Sequence, residues 1–179
     1  MAEKYVEVVR EMFEQRGYVA EDAPAHEFKH FVLAARTRTG RVCVLSNFED
    51  KLAIGPMQES VAFMDANGFD HAVVIYTEAV TPHVRKLVDA LQIGGIHDGR
   101  PLRIELFSRA ELAYNVTRHV LVPRHELADA GETAQLHKYT GKLPLLLQTD
   151  PVARFLGFRR GDIVKVTRRD GLVAFRTVV

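Results

Sequence analysis

The stretch Asp150–Val166, DPVARFLGFRRGDIVKV, constrains this chain more than any other, because each residue type in it suits one short helix leading into one strand. Asp150 is a good N-cap, and Pro151 suits the first helical position, where a missing N–H costs nothing. Val152, Phe155 and Leu156 fall on one helical face at i, i+3 and i+4. Gly157 can supply the left-handed residue that ends the helix. Arg160-Gly161-Asp162 then makes a turn, and Ile163, Val164 and Val166 begin a strand. A second strand, Leu172–Val179, follows Asp170-Gly171, a strong short-range hairpin signal. Nothing in this unit has the residue pattern of a catalytic site. It reads as a rigid docking module.

The rest of the chain divides near residue 113. In the first part, Val6, Val9 and Phe13 mark one face of an opening helix that Gly17 can end. His30–Arg36 and Arg41–Leu45 read as strands joined by a Thr-Arg-Thr-Gly turn. A helix is predicted over Met57–Ala66, closed by Asn67-Gly68, and a buried strand over His71–Thr77. Pro82 opens another helix to about Ala90, with Thr81 as its N-cap. Leu102–Phe107 is a further strand, and Ser108 caps a short helix after it. Alternating strands and helices imply an α/β domain with a mixed sheet flanked by helices over residues 1–113. Residues 114–179 read as a small α+β domain.

Composition places limits on the chemistry. No apolar run approaches the ~20 residues that cross a bilayer, so no membrane partner is expected. The first residues, MAEKYVEVVREMFEQRG, are charged and amphipathic, unlike a signal peptide. The single cysteine, Cys43, excludes an internal disulfide, fits a reducing compartment and reads as a buried small hydrophobe. Residues 1–113 carry 13 basic and 17 acidic side chains, a net −4, whereas residues 114–179 carry 11 and 6, a net +5. The basic part suits nucleic acid, an acidic protein surface or ordinary solvated charge, and charge alone does not choose.

Catalytic readings fail on missing groups. Glu49-Asp50-Lys51 offers the E-x-K of a nuclease, but no Asp or Glu occurs from Phe28 to Phe48 to supply a second acid for a divalent cation. His119 and His125 could share a face if the intervening residues form a strand, yet a structural zinc wants four N or S ligands, Cys43 is remote in sequence, and His137 could join only by tertiary accident. These histidines fit hydrogen bonds to backbone groups at an interface better. Ser46, Ser60 and Ser108 lie in no G-x-S-x-G context, and Gly94-Gly95 is not followed by Lys-Ser/Thr. The sequence therefore implies no catalytic residue, no metal and no cofactor.

Two resemblances remain. Leu143-Pro144, Leu156-Gly157 and Gly161-Asp162-Ile163-Val164-Lys165-Val166 resemble parts of swapped-hairpin DNA-binding regulators. However, Leu156 lies thirteen positions after Leu143, a longer spacing than in that module, and an Asp-Pro helix start lies between them. The fuller match is to another pattern. Asn115, Thr117, His119, Leu121-Val122-Pro123 and His125 follow N-x-T-x-H-x-L-V-P-x-H. Tyr139 ends a charged helix and Leu143-Pro144 follows. Asp150–Arg154, Gly157, Gly161, Val164 and Lys165 then fit D-P-V-A-R-Y-x-G-x-x-x-G-x-V-V-K-I, with Phe155 in place of Tyr. In order and spacing the chain resembles the fifth common subunit of the eukaryotic nuclear RNA polymerases, a family whose C-terminal part is shared with the archaeal polymerase.

That resemblance implies a jaw domain over 1–113 and an assembly domain over 114–179, in a non-catalytic subunit of a multisubunit DNA-directed RNA polymerase. It implies docking on the largest subunit, beside a small shared subunit, through His119, Pro123, His125, Tyr139, Pro144, Asp150, Pro151, Val152, Arg154, Phe155 and Arg176. For Val152 and Phe155 the core is the favoured reading. It also implies that loops at Lys51, Gly55, Thr81, Pro82 and His83 face downstream duplex DNA, in a weak contact without sequence preference. The family carries Ser-Ala after its Thr-Pro, where this chain has His83-Val84. The implied location is the nucleus, or the viral factory or virion of a large DNA virus.

Overall fold

The computed structural model describes residues 2–21, 27–46, 48, 51–94, 102–138 and 142–179. Two compact units divide the chain, residues 1–113 and 114–179. The E-x-K acids Glu49 and Asp50, Gly95 and Tyr139 lie outside the described residues.

Unit 1 runs α1 (Ala2–Gln15), β1 (Val19–Glu21), β2 (Phe31–Arg36), β3 (Arg41–Leu45), β4 (Lys51–Leu52), α2 (Ile54–Ala66), β5 (His71–Tyr76), β6 (Ala79–Val80), α3 (Pro82–Gly94) and β7 (Arg103–Ser108). Its main sheet is ordered β1-β2-β3-β5-β7. The strands β1, β2 and β3 form an antiparallel meander, and β3, β5 and β7 are parallel. Parallel strands need covering on both faces, which explains the unbroken apolar run Ala72–Ile75. Alternation then sorts the side chains. Cys43, Leu45, Ala72, Val74 and Ile104 pack with Met57 and Met64 of α2 and Val84 and Val88 of α3. Their strand neighbours Val42, Val44, Val73 and Ile75, also buried, point to the opposite face, and α1 buries Tyr5, Val8, Val9, Met12 and Phe13. Val6, expected on that face, is only half covered.

An ion cluster pins the residues after α1 to this sheet. Glu105 alternates with Ile104 and so projects away from the α2 and α3 layer. Its carboxylate accepts two hydrogen bonds from Arg16, at 2.8 and 2.9 Å, and one from His71 Nε2 at 2.7 Å. Arg103 adds an ion pair at 3.1 Å. The Arg16 side chain is 1% exposed, so its charge depends on Glu105 rather than on water. Burial pulls the Glu105 pKa upward, but Arg16, His71 and Arg103 together outweigh it and hold the carboxyl well below the usual range. Burial pushes the His71 pKa down, against the pull of Glu105, so the ring is neutral.

Both depressions act in one direction. A group whose folded pKa is lowered stabilises the fold at higher pH and loses that contribution as pH falls. Stability of unit 1 should decline once pH drops below ~6.5, where the unfolded chain protonates His71 first, and again below ~4.3 as Glu105 is titrated. Urea melts followed by circular dichroism across pH 4–8 check this, with His71→Gln expected to remove the upper decline. Melts unchanged between pH 7 and 5 would show that burial of His71 is not linked to folding.

Several sequence expectations shift. The helix expected from Met57 starts at Ile54, and the one opened by Pro82 continues to Gly94. No helix follows Ser108. Ser108 and Glu111 make reciprocal capping bonds, Ser108 N–H to the carboxylate at 2.7 Å and Glu111 N–H to Ser108 Oγ at 3.3 Å. Residues 109–114 form turns instead, and the next turn begins at Asn115. Cys43 is fully buried, and burial pushes its thiol pKa up, so it is an inert packing group.

Unit 2 contains a 3-10 turn (Val116–Arg118), β8 (Arg124–Leu127), α4 (Ala130–His137), β9 (Leu145–Leu146), α5 (Pro151–Leu156), β10 (Ile163–Thr167) and β11 (Val173–Val178). Its sheet is ordered β8-β10-β11-β9, with β9 parallel to β11 and the other pairs antiparallel. Asp150 Oδ1 accepts the Val152 N–H at 2.8 Å and the Ala153 N–H at 3.3 Å, and Gly157 closes α5 at φ 74°. Asp129 and Glu132 form a capping box at the start of α4, and Glu132 also meets Lys165 of β10 at 2.5 Å. Leu146, Ala153, Phe158, Val164, Val166 and Val178 make the core.

Candidate functional site

The first candidate surface lies in unit 2, around residues 119–127. The strand on which His119 and His125 could share a face does not form between them. Asn115 Oδ1 accepts the Thr117 N–H at 3.0 Å and so starts a 3-10 turn, and His119 sits at its end in extended conformation. Val122 N–H then bonds His119 O at 2.9 Å, closing a second turn. The strand begins only at Arg124, so His119 and His125 do not share a strand face. Among the described residues, no group of three or more His, Cys, Asp or Glu is placed to hold a metal ion.

These turns hold apolar side chains outward. Leu121 is 81% exposed and Val120 56%. On β8, His125 lies opposite Val166 and Leu127 opposite Val164. Directly opposed residues share a face, so these two carry the core face of the sheet onto its edge. There Leu127 stays 57% exposed while Val164 is fully buried. Sequence reading missed Leu127, Leu145 and Leu147. A readable signal did exist for Leu145-Leu146-Leu147, since three leucines in extended chain must send alternate ones to opposite faces. Leu146 enters the core, and Leu145 and Leu147 are exposed.

The expected docking residues sort by burial. Val152 and Phe155 are 8% and 2% exposed and are buried within unit 2, in line with their reading as core. Asp150 is the α5 cap. Arg176 Nη1 donates to Leu145 O at 3.0 Å, and Thr177 N–H to Pro144 O at 2.9 Å, which fastens β9 to β11. Pro144, Pro151 and His119 are exposed, and Pro123, His125 and Arg154 are half-buried.

In unit 1 the fold brings together two loops far apart in sequence. The short strands β4 and β6 pair in parallel, Lys51 opposite Ala79 and Leu52 opposite Val80, and Thr81 N–H reaches Leu52 O at 3.2 Å. Each strand leads at once into a helix, α2 at Ile54 and α3 at Pro82. Lys51, Gly55, Pro82 and His83 are exposed at these starts. Neither helix carries an acid in its first turn, and Ala53 gives α2 no side-chain cap. Thr81 acts as an N-cap only through its carbonyl, which accepts the Arg85 N–H at 3.3 Å. Contrary to expectation, its buried hydroxyl has no hydrogen-bond partner among the described residues. Two adjacent helix starts with open N–H groups favour an anion.

Residues 114–178 match the family described as RNA polymerase Rpb5, C-terminal domain. Unit 2 is an Rpb5 C-terminal domain. Among curated relatives, the chain is 34% identical over 125 residues to the DNA-directed RNA polymerases I, II, and III subunit RPABC1 of Caenorhabditis briggsae, an alignment covering 67% of this chain and 56% of that protein. It is also 34% identical over 125 residues to the DNA-directed RNA polymerase subunit 5-like protein 1 of Arabidopsis thaliana, with the same coverage. The chain thus spans about half the length of these relatives. A protein of Invertebrate iridescent virus 6 named as a DNA-directed RNA polymerase subunit, 454R, is 24% identical over 99% of this chain and 100% of its own length. The Rpb5 C-terminal domain includes His119, Pro123, His125 and the whole Asp150–Val166 unit.

Proposed function

We propose that this chain is a non-catalytic subunit of a multisubunit DNA-directed RNA polymerase, docked through its Rpb5 C-terminal domain on the largest subunit beside a small shared subunit. The match of residues 114–178 to the Rpb5 C-terminal domain carries this reading. The exposed apolar residues of that domain fit it, since Leu121, Leu127, Leu145 and Leu147 sit in water unless a partner covers them. Arg154, half-buried beside exposed Pro151, is an anchor of the type that carries interface energy. Phosphodiester chemistry belongs to other subunits. Relatives from nuclear and viral polymerases support the nucleus, or the viral factory or virion of a large DNA virus, as the place of action.

Unit 1 acts in this reading as a jaw beside downstream duplex DNA. The paired starts of α2 and α3 offer phosphate ligands through backbone N–H groups, with Lys51 and His83 at hand. The contact is weak, because a unit with a net charge of −4 neutralises few phosphates, and phosphate-driven affinity grows with their number. A photocrosslinker at position 82 or 83 in a stalled elongation complex should label downstream duplex DNA. Labelling of protein alone would remove the jaw role. Tight sequence-specific binding by the free chain would instead restore the swapped-hairpin regulator reading.

A further inference from the structure

The two histidines of the 119–127 surface are locked in opposite tautomers. His119 Nδ1 accepts the backbone N–H of Leu121 at 3.2 Å. A nitrogen that accepts carries no proton, so in the neutral ring the proton sits on Nε2. His125 Nδ1 lies 2.8 Å from the carbonyl oxygen of Pro123. A carbonyl can only accept, so here Nδ1 carries the proton and Nε2 is bare. Neither outer nitrogen has a partner among the described residues. The same stretch of chain thus presents one fixed N–H donor and one fixed nitrogen acceptor. Between them in sequence stand the exposed Val120 and Leu121, held by turns in which the His119, Leu121 and Val122 N–H groups are bonded.

A buried interface must pair each polar group that it covers. Fixed tautomers therefore say what the covering partner has to bring. We propose that His119 and His125 dock a polypeptide segment of the polymerase as a donor–acceptor pair, His119 Nε2–H meeting a carbonyl or carboxylate oxygen and His125 Nε2 meeting an N–H or hydroxyl. This rests on the reading of unit 2 as the docking domain. Apolar contact at Val120 and Leu121 supplies area, and the two rings set register. A partner with these groups reversed would leave two unmatched polar atoms at the contact, which is how such a pair discriminates.

Asparagine and glutamine separate the inner ring bond from the outer one, because an Asn side-chain amide overlays Nδ1 and a Gln amide overlays Nε2. His119→Asn and His125→Asn can keep the local bond and lose the outer group. His119→Gln and His125→Gln do the converse. Long-range proton–nitrogen correlation spectra of the neutral full-length chain should show His119 protonated on Nε2 and His125 on Nδ1. In pull-downs of polymerase with the full-length chain, the Gln variants should stay within threefold of wild type and the Asn variants should fall more than tenfold. The reverse order, or equal binding by all four, would overturn the pairing, as would finding His125 protonated on Nε2. A wild-type chain that recovers no polymerase, with both tautomers as stated, would instead remove the docking reading and this contact with it.

Discussion

Glu105→Ala should unfold unit 1 under conditions where the wild type is folded. The substitution removes the one carboxylate shared by Arg16, His71 and Arg103. Arg103, with its side chain 23% exposed, can turn to water. Arg16, at 1%, cannot, and its guanidinium stays charged in the interior without the Glu105 carboxylate, although its contact with Tyr18 remains. Breaking a buried pair by removing one partner costs about 3–5 kcal/mol. That is a large share of the stability of a domain this size, and a single urea melt measures it. Glu105→Gln should fall between the two, because the amide keeps an acceptor for Arg16 or His71 and loses the charge. A loss under about 1 kcal/mol in Glu105→Ala would mean that Arg16 finds another partner or water, and that the cluster does not hold the chain after α1 to the sheet.

Phe155→Ala should destabilise unit 2 by about 3–5 kcal/mol, the usual cost of truncating a buried aromatic. The side chain is 2% exposed on a six-residue helix, α5, that packs against the 3-10 turn. So short a helix has little stability of its own, and its order comes from packing and from its caps. Phe155→Tyr, which restores the family residue, tests the same site from the other side. It should be tolerated only where the added hydroxyl reaches water or an acceptor. Amide spectra of the two variants distinguish loss of fold from loss of docking. Full retention of unit 2 stability in Phe155→Ala would return this residue to the interface.

What was legible in the sequence was local. Asp150, Pro151 and Gly157 each act on atoms within a few residues, so cap, first turn and stop could all be read before any tertiary contact was known. The apolar run Ala72–Ile75 was legible for a similar reason, since burial on both faces demands it. The Arg16–Glu105 pair joins residues 89 apart, and no pattern in the chain announces it. The pairing of β4 with β6 was equally silent, because two-residue strands carry no periodicity. They set Lys51 and Gly55 beside Thr81 and His83, which the resemblance had named separately. The stretch 117–125 misled, since its short apolar run Val120-Leu121-Val122 imitates a strand. Asn115 and His119 bend it with side-chain to backbone bonds, the local competition that Asn, Asp, Ser and Thr offer to regular structure.

The central claim, a subunit built into an RNA polymerase through its Rpb5 C-terminal domain, is tested most directly by purification from the cells in which the chain is made. With a tag on the full-length chain, and on residues 1–113 and 114–179 separately, the recovered complexes are weighed intact and their components identified. The full chain and residues 114–179 should bring down the largest polymerase subunit in a one-to-one complex, and residues 1–113 should not. Recovery of the full chain alone or as a dimer, or incorporation of residues 1–113 without the rest, would contradict it.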